Sequence, residues 1–232
     1  ILLDYPGIDR SLNSLDLKYN TLMEYHRTIG QQLKLFEKKA IVMGHGVGGA
    51  IAQLWALTYK FELRNLILIG TAPYAIYTIY NLIQPAINQF VTGSLPLQQF
   101  STIVANATYN TTSDECQPDS LKLDLSNSIN NADVASLRRV FTQNPNNNTL
   151  AQAPQLIRVP TLIMHGIQDI LISPTGADAL GLLIKCSRTY KFNTSHSPQF
   201  TMQQRFFEEF YKFINPTGGL YFNDLPHEQC IL

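Results

Sequence analysis

A glycine-rich turn between two apolar segments constrains the fold of this chain more than any other feature. Residues 40–52 read Ala-Ile-Val-Met-Gly-His-Gly-Val-Gly-Gly-Ala-Ile-Ala, so a short apolar run leads through glycines into a run of small residues. The first run has the length and composition of a buried strand. The small residues Gly49, Ala52 and Ala56 predict a helix that packs closely on that strand. A strand joined to a helix by so tight a turn is typical of a parallel sheet covered by helices.

The rest of the chain alternates strands and helices in the same way. Apolar residues spaced three and four apart predict helices. The continuous apolar run at 66–69 is of the kind that a parallel sheet buries on both faces. Ser173 followed by Pro174 marks the start of a helix. We therefore expect an α/β fold with three layers. The predicted helices cover residues 15–36, 48–60, 174–184 and 199–214, and the first two predicted strands cover residues 40–44 and 65–70.

The glycine-rich turn resembles the nucleophile elbow of the α/β-hydrolase superfamily. In that superfamily the turn reads Gly-x-Ser-x-Gly, and its serine is the nucleophile. Here Gly44 and Gly48 take the flanking positions, and Gly46 takes the position of the serine. The resemblance implies an α/β-hydrolase three-layer fold with a mostly parallel central sheet and a helical lid insertion.

Two further residues match the order of nucleophile, acid and histidine that this superfamily follows. Asp169 comes just after an apolar stretch that reads as a buried strand, and it matches the acid. His196 comes after the last predicted strand and matches the base. The resemblance implies that His196 takes the nucleophile's proton while Asp169 holds its tautomer. It also implies that the backbone N–H of Val47 is one oxyanion donor.

The remaining histidines and serines near these positions predict no second site. The histidines and cysteines lack the close pairs that zinc sites need, so we expect neither a metal nor a cofactor. His45 fills the variable position of the elbow, and we expect it to pack beneath the turn. His165 precedes a turn glycine and has no spaced partner. Ser195 and Ser197 flank the base, but neither can easily reach the elbow.

The same resemblance divides the chain into three parts. We expect the core at residues 1–72 and 156–214, the lid at 73–155, and a C-terminal extension at 215–232. Residues 3–11 resemble the turn that follows the fourth strand in this superfamily, which implies that N-terminal strands are missing from this chain. We expect a protein partner or a further segment of the same product to complete the sheet, because an exposed row of unpaired backbone groups is a liability.

Charge and hydropathy exclude several classes of function. The 232 residues carry 17 basic and 17 acidic side chains, so the net charge is zero. A surface that binds nucleic acid has an excess of Lys and Arg. The longest apolar run is far too short to span a bilayer. We expect no nucleic-acid partner and no membrane span. The apolar residues of the lid predict a small apolar ligand beneath it.

Two sequence signals indicate different cellular compartments for this protein. An odd number of widely spaced cysteines argues against a disulfide framework and favours the cytosol or an organelle. Sequences of the form Asn-x-Ser/Thr favour secretion, because they accept N-linked glycans. The cysteines are Cys116, Cys186 and Cys230, and the four glycosylation sequences begin at Asn106, Asn110, Asn147 and Asn193.

Three functions remain open on the sequence. Covalent acyl transfer needs an oxygen or sulfur nucleophile, and Gly46 supplies neither. The leading prediction is therefore a catalytically impaired pseudo-hydrolase that serves as a structural or binding subunit of a larger assembly. The first alternative is a serine hydrolase acting on carboxylic esters or similar acyl bonds, whose nucleophile has been replaced by glycine. The second is a small-molecule receptor that keeps the pocket without turnover.

Overall fold

The computed structural model describes residues 19–73, 83–110, 118–142 and 154–215. Short 3₁₀ turns at Lys60–Glu62 and Pro154–Leu156 precede two of the strands. In chain order, the described elements are α1 (Tyr19–Gln32), β1 (Ala40–His45), α2 (Val47–Thr58), β2 (Leu63–Ile69), α3 (Gln84–Thr92), α4 (Leu97–Thr108), α5 (Pro118–Asn130), α6 (Val134–Thr142), β3 (Thr161–Gly166), α7 (Thr175–Leu183), β4 (Ser187–Phe192), α8 (Pro198–Thr201) and α9 (Gln203–Ile214).

The described strands form one parallel sheet with the order β1-β2-β3-β4. The carboxyl ends lie at the same edge, because His45 is paired with Ile69 and Ile69 is paired with Met164. The expected α/β fold with a parallel sheet is confirmed. Loops that follow parallel strands at this edge commonly form the ligand site of such sheets.

Helices cover both faces of the sheet. Side chains of a strand alternate between its two faces, and β2 shows the result clearly. Leu66 and Leu68 pack in a cluster with α1, α2 and α7. Ile67 and Ile69 pack on the other face in a cluster with α9. The three-layer arrangement expected from the sequence is therefore confirmed.

Four helices, α3 to α6, lie between β2 and β3 in the chain, within the segment predicted to be the lid. They share an apolar cluster of their own, in which the rings of Phe90 and Phe100 stack 4.1 Å apart. Phe141 meets Phe100 edge-on, with ring centroids 5.2 Å apart. Leu171 and Ile172, from the loop after β3, belong to the same cluster. The lid helices thus contact the core beside the carboxyl end of β3.

Two predicted helices differ from the structure by more than two residues at an end or by an internal break. The helix predicted over residues 15–36 ends at Gln32, because the backbone turns away and Lys34 takes a φ of 55°. The helix predicted over residues 199–214 is two helices, α8 and α9. Met202 separates them with φ −134° and ψ 50°, outside the helical region, and its side chain is buried in the cluster that α9 shares with the sheet.

Several predictions lie outside the described residues: the motif at 3–11, the extension from residue 216 onward, Cys116, Cys230 and Asn147. Within the described ranges, no helix is long and apolar enough to cross a lipid bilayer. The same part of the chain holds no group of three or more His, Cys, Asp or Glu side chains placed to bind a metal ion.

Candidate active site

The turn at Gly46 has the strained backbone of a nucleophile elbow. Gly46 links the end of β1 to the start of α2 and takes φ 54° and ψ −118°. Residues other than glycine rarely adopt such a positive φ. The turn is fixed by three hydrogen bonds: the Gly46 N–H donates to Ile69 O at 3.0 Å, and Gly46 O accepts from Gly49 N and from Thr71 Oγ1.

Close packing at the elbow involves Gly44 and Gly49. A Cβ atom at Gly44 would overlap the backbone of Gly48, and one at Gly49 would lie 2.6 Å from the Thr71 side chain. A Cβ atom at Gly48 would meet nothing within 4 Å. The sequence placed Gly44 and Gly48 at the flanking positions of the elbow and assigned close packing on the strand to Gly49. The structure supports close packing for Gly44 and Gly49, whereas Gly48, the second residue of α2, lies on an open side.

His196 and Asp169 lie together at the carboxyl ends of the strands. The Nδ1 atom of His196 lies 2.7 Å from Asp169 Oδ2. An ionised carboxylate only accepts, so Nδ1 carries the proton and Nε2 is left as the acceptor of the neutral ring. That Nε2 atom lies 3.3 Å from the position a Cβ atom would take at Gly46. The structure therefore brings together the three positions that the sequence proposed.

Asp169 is held by four hydrogen bonds. Its Oδ1 atom accepts from the backbone N–H groups of Leu171 and Ile172, at 2.8 and 2.9 Å. Its Oδ2 atom accepts from His196 and also lies 3.0 Å from His165 Nε2. Burial alone would raise the pKa of Asp169. The charge of His196 and the hydrogen bonds from both histidines outweigh burial and hold this pKa well below its ordinary value.

His165 is the residue that the sequence analysis missed. It lies on β3, is fully buried, and places Nε2 within 3.0 Å of both Asp169 Oδ2 and Ile172 O. Both neighbours only accept, so Nε2 carries the proton. Its Nδ1 atom is buried without a hydrogen-bond partner among the described residues. The spacing of four residues between His165 and Asp169 across a strand end was the available signal.

His45 contacts the backbone of the candidate base. Its Nε2 atom donates to His196 O at 3.1 Å, and the two rings lie 4.4 Å apart. Burial, together with the charge of His196, lowers the pKa of His45 to about 3. His45 is therefore neutral at physiological pH. It acts on the position of the His196 backbone and carries no charge into the site.

The loop that carries His196 packs closely against two glycines at strand ends. Gly70 follows β2 with φ 49°, and a Cβ atom there would lie 2.8 Å from His196 O and 3.1 Å from its ring. Gly166 ends β3, and a Cβ atom there would overlap the carbonyl groups of Thr194 and Ser195. The base can approach Gly46 this closely because neither strand end carries a side chain.

The remaining candidates take other places. Ser195 and Ser197 are buried, and Ser195 Oγ donates to Thr108 O of α4 at 2.8 Å, so this hydroxyl is engaged with the lid. Val47 is the first residue of α2. A helix leaves its first N–H groups without partners in the helix. The Val47 N–H stays the predicted oxyanion donor.

Comparison with known proteins identifies relatives of this fold. The family described as serine aminopeptidase, S33 (Hydrolase_4) matches residues 14–192. No curated protein matches the chain in sequence. An esterase from Exiguobacterium antarcticum has a TM-score of 0.78 at 20% identity, with 91% of this chain and 79% of that chain covered. The enol-lactonase from Burkholderia xenovorans LB400 gives 0.75 at 16% identity, with 91% and 78% covered. Bromoperoxidase from Bacillus anthracis gives 0.76 at 17% identity, with 91% and 79% covered.

The prediction of a pseudo-hydrolase that serves as a structural or binding subunit is wrong. The matched family is a family of hydrolases, and the similar structures carry the names of enzymes. The prediction gave the missing side chain of Gly46 too much weight. The strained turn is present. The Nε2 atom of His196 faces it, and the Nδ1 atom of His196 is bound to Asp169. The serine-hydrolase alternative fits these findings better.

Proposed function

Since this chain belongs to the serine aminopeptidase S33 family of α/β-hydrolases, we propose that it is a hydrolase acting on carboxylic esters or similar acyl bonds. One observation carries the proposal. His196 Nε2 lies 3.3 Å from the Cβ position of residue 46, while Nδ1 is bound to buried Asp169. This is the geometry that a general base needs in order to take a proton from a group held at the elbow.

With glycine at position 46, we propose that water is the nucleophile. The absent side chain leaves room for a water oxygen within reach of His196 Nε2. That oxygen attacks the acyl carbon while Nε2 takes its proton, and Asp169 stabilises the imidazolium that forms. The Val47 N–H donates to the oxygen that becomes negative. The same Nε2 proton then passes to the leaving alkoxide, and the acid product is released.

This route forms no acyl-enzyme and is slow. Base assistance from one histidine contributes roughly 10²–10⁴-fold to a hydrolysis rate. Loss of the nucleophile from a working triad costs on the order of 10⁶-fold in kcat. We therefore propose an ester-hydrolase site whose kcat is limited by the missing serine oxygen at position 46. The geometry of the surrounding residues supports this proposal.

The experiment compares four versions of the chain on a chromogenic ester: Gly46, Gly46→Ser, Gly46→Ala and Gly46→Ser/His196→Ala. We expect Gly46→Ser to raise kcat/KM on the order of 10³-fold or more. Gly46→Ala is the matched control, because it adds the same Cβ and the same strain at φ 54° without the oxygen. The double variant should lose the gain. Both single variants should lose about 1–3 kcal/mol of stability, the usual cost of such a backbone.

A folded Gly46→Ser protein that gains no more activity than Gly46→Ala would contradict the proposal. Folding is checked by a thermal melt, so loss of structure and lack of chemistry are separated.

The apolar side chains of the lid favour an apolar substrate. Leu171 and Ile172 donate backbone N–H groups to Asp169, and their side chains belong to the apolar cluster of the lid. We propose that an apolar acyl or alcohol group lies against this cluster while its carbonyl carbon faces position 46. The lid would then supply binding energy, and the strand ends would supply the chemistry.

We also propose that further polypeptide pairs with the outer edge of β1. Among the described strands, β1 pairs with β2 alone, and most of its side chains are half-buried, whereas those of β3 are fully buried. Met43 is 46% exposed. A strand at the edge of a sheet leaves a row of backbone N–H and C=O groups without a partner strand, so a neighbouring strand along β1 would pair these groups.

A further inference from the structure

Two neighbouring glycosylation sequences meet a third one, distant in the chain, at one contact beside the candidate site. Asn106 lies near the end of α4, Asn110 lies just beyond that helix, and Asn193 follows β4. Ser195 Oγ donates to Thr108 O at 2.8 Å, across 87 positions of sequence. Thr108 is two residues from both Asn106 and Asn110, and Ser195 is two residues from Asn193.

This contact fixes the three asparagines in one region of the surface. Two residues of extended chain span at most about 7 Å, so the backbones of Asn106 and Asn110 lie within that distance of the Thr108 backbone, and the backbone of Asn193 lies within it of the Ser195 backbone. All three asparagine residues are exposed. Asn106 and Asn110 are neighbours in the chain, and the fold brings the distant Asn193 to the same region through the Ser195–Thr108 contact.

The environment of Asn193 suits a glycan acceptor. Its Oδ1 atom accepts a hydrogen bond from Gln168 Nε2 at 2.9 Å, and both side chains are at the surface. An N-linked glycan is attached to the other amide atom, Nδ2. The contact with Gln168 orients the amide and can remain after attachment, because it uses the oxygen.

Cys186 supplies an independent observation. It is buried immediately before β4 and is bonded in a disulfide. Disulfides form and persist in oxidising compartments such as the secretory pathway, which is also where N-linked glycans are added. The disulfide therefore weighs against the intracellular compartment that the odd number of cysteines favoured.

We propose that this chain carries N-linked glycans at Asn193 and at Asn106 or Asn110, and that these glycans form a rim beside His196. The donor is a lipid diphosphate-linked oligosaccharide. Nδ2 forms a bond to the anomeric carbon, the bond from that carbon to the diphosphate oxygen breaks, and Nδ2 loses one proton. Glycans are bulky and soluble, so the rim shields this side of the site from large substrates.

The experiment uses the whole chain secreted from a eukaryotic host. Peptide-N-glycosidase converts each glycosylated asparagine to aspartate, and peptide mass spectrometry locates the conversions. Conversion at Asn193 together with Asn106 or Asn110 supports the proposal. An unconverted Asn193, or conversion at neither Asn106 nor Asn110, overturns it. The readout is a mass, so the result does not depend on whether the proposed hydrolysis occurs.

A pair of variants tests the central acceptor directly. Asn193→Gln keeps an amide beside Gln168 but removes the acceptor, so the secreted protein should lose the mass of one glycan. Asn131→Gln changes an exposed asparagine outside any glycosylation sequence and should leave the mass of the glycans unchanged. An Asn193→Gln protein with the glycan mass of the unsubstituted chain would overturn the proposal.

Discussion

Asp169 accepts hydrogen bonds from two histidines, and the role of His165 can be tested separately from that of His196. Hydrogen bonds to charged groups contribute about 1.5–3 kcal/mol, so in the Gly46→Ser protein His165→Leu should lower kcat roughly 10- to 100-fold. His165→Asn retains a donor and should recover part of this loss. The measurement is the pH–rate profile, since an altered Asp169 changes the pH dependence while simple loss of folded protein does not. Unchanged kcat and profile in His165→Leu would contradict a positioning role.

The low pKa of Asp169 also predicts how stability depends on pH. A carboxyl group with a folded-state pKa below its unfolded value of about 3.9 stabilises the protein at pH above that value. This contribution is lost as the pH falls towards the folded-state pKa. The difference in free energy of unfolding between the unsubstituted chain and Asp169→Asn should therefore be constant from pH 7 to about 5 and shrink below about 4. Urea unfolding at several pH values measures this difference, and a difference that grows in acid would contradict it.

The elbow between β1 and α2 offers a matched pair of glycine substitutions. In Gly44→Ala the new Cβ overlaps the backbone of Gly48, whereas in Gly48→Ala it enters open space. Overpacking of this kind costs about 1–3 kcal/mol, so Gly44→Ala should lower the melting temperature. Gly48→Ala should leave it unchanged or raise it, because alanine favours a helix over glycine by up to about 1 kcal/mol. Equal melting temperatures for the two variants would contradict the packing described for the elbow.

The outer edge of β1, which pairs with no further strand among the described residues, makes a prediction for the whole molecule. Unpaired strand edges promote association, so residues 1–232 expressed alone should elute as mixed oligomers and melt at a lower temperature than the completed sheet. Co-expression with a polypeptide that pairs with β1 should give a single species with a higher melting temperature. Size-exclusion chromatography beside a thermal melt makes the comparison. A monodisperse monomer that melts cooperatively would contradict the proposed pairing.

Much of this molecule follows from local sequence, and the rest depends on contacts across the fold. The elbow, Asp169 and His196 were predictable, because each follows a strand and strand ends meet at one edge. His165 was missed because its contact with Asp169 depends on burial and side-chain direction at the end of β3. Gly70 and Gly166 were missed because the loop they receive is distant in the chain. The break at Met202 was missed because an apolar residue at this position is compatible with one continuous helix and with two separate helices.

On the proposed mechanism, His196 and Asp169 act as base and acid on a group at position 46. The most direct measurement is the intact mass of Gly46→Ser after treatment with a fluorophosphonate, beside Gly46 and Gly46→Ser/His196→Ala. We expect one phosphonate on the introduced serine of the single variant and none on the other two proteins, because the probe needs a serine activated by a base. A folded Gly46→Ser protein that stays unlabelled, or that is labelled equally without His196, would contradict it.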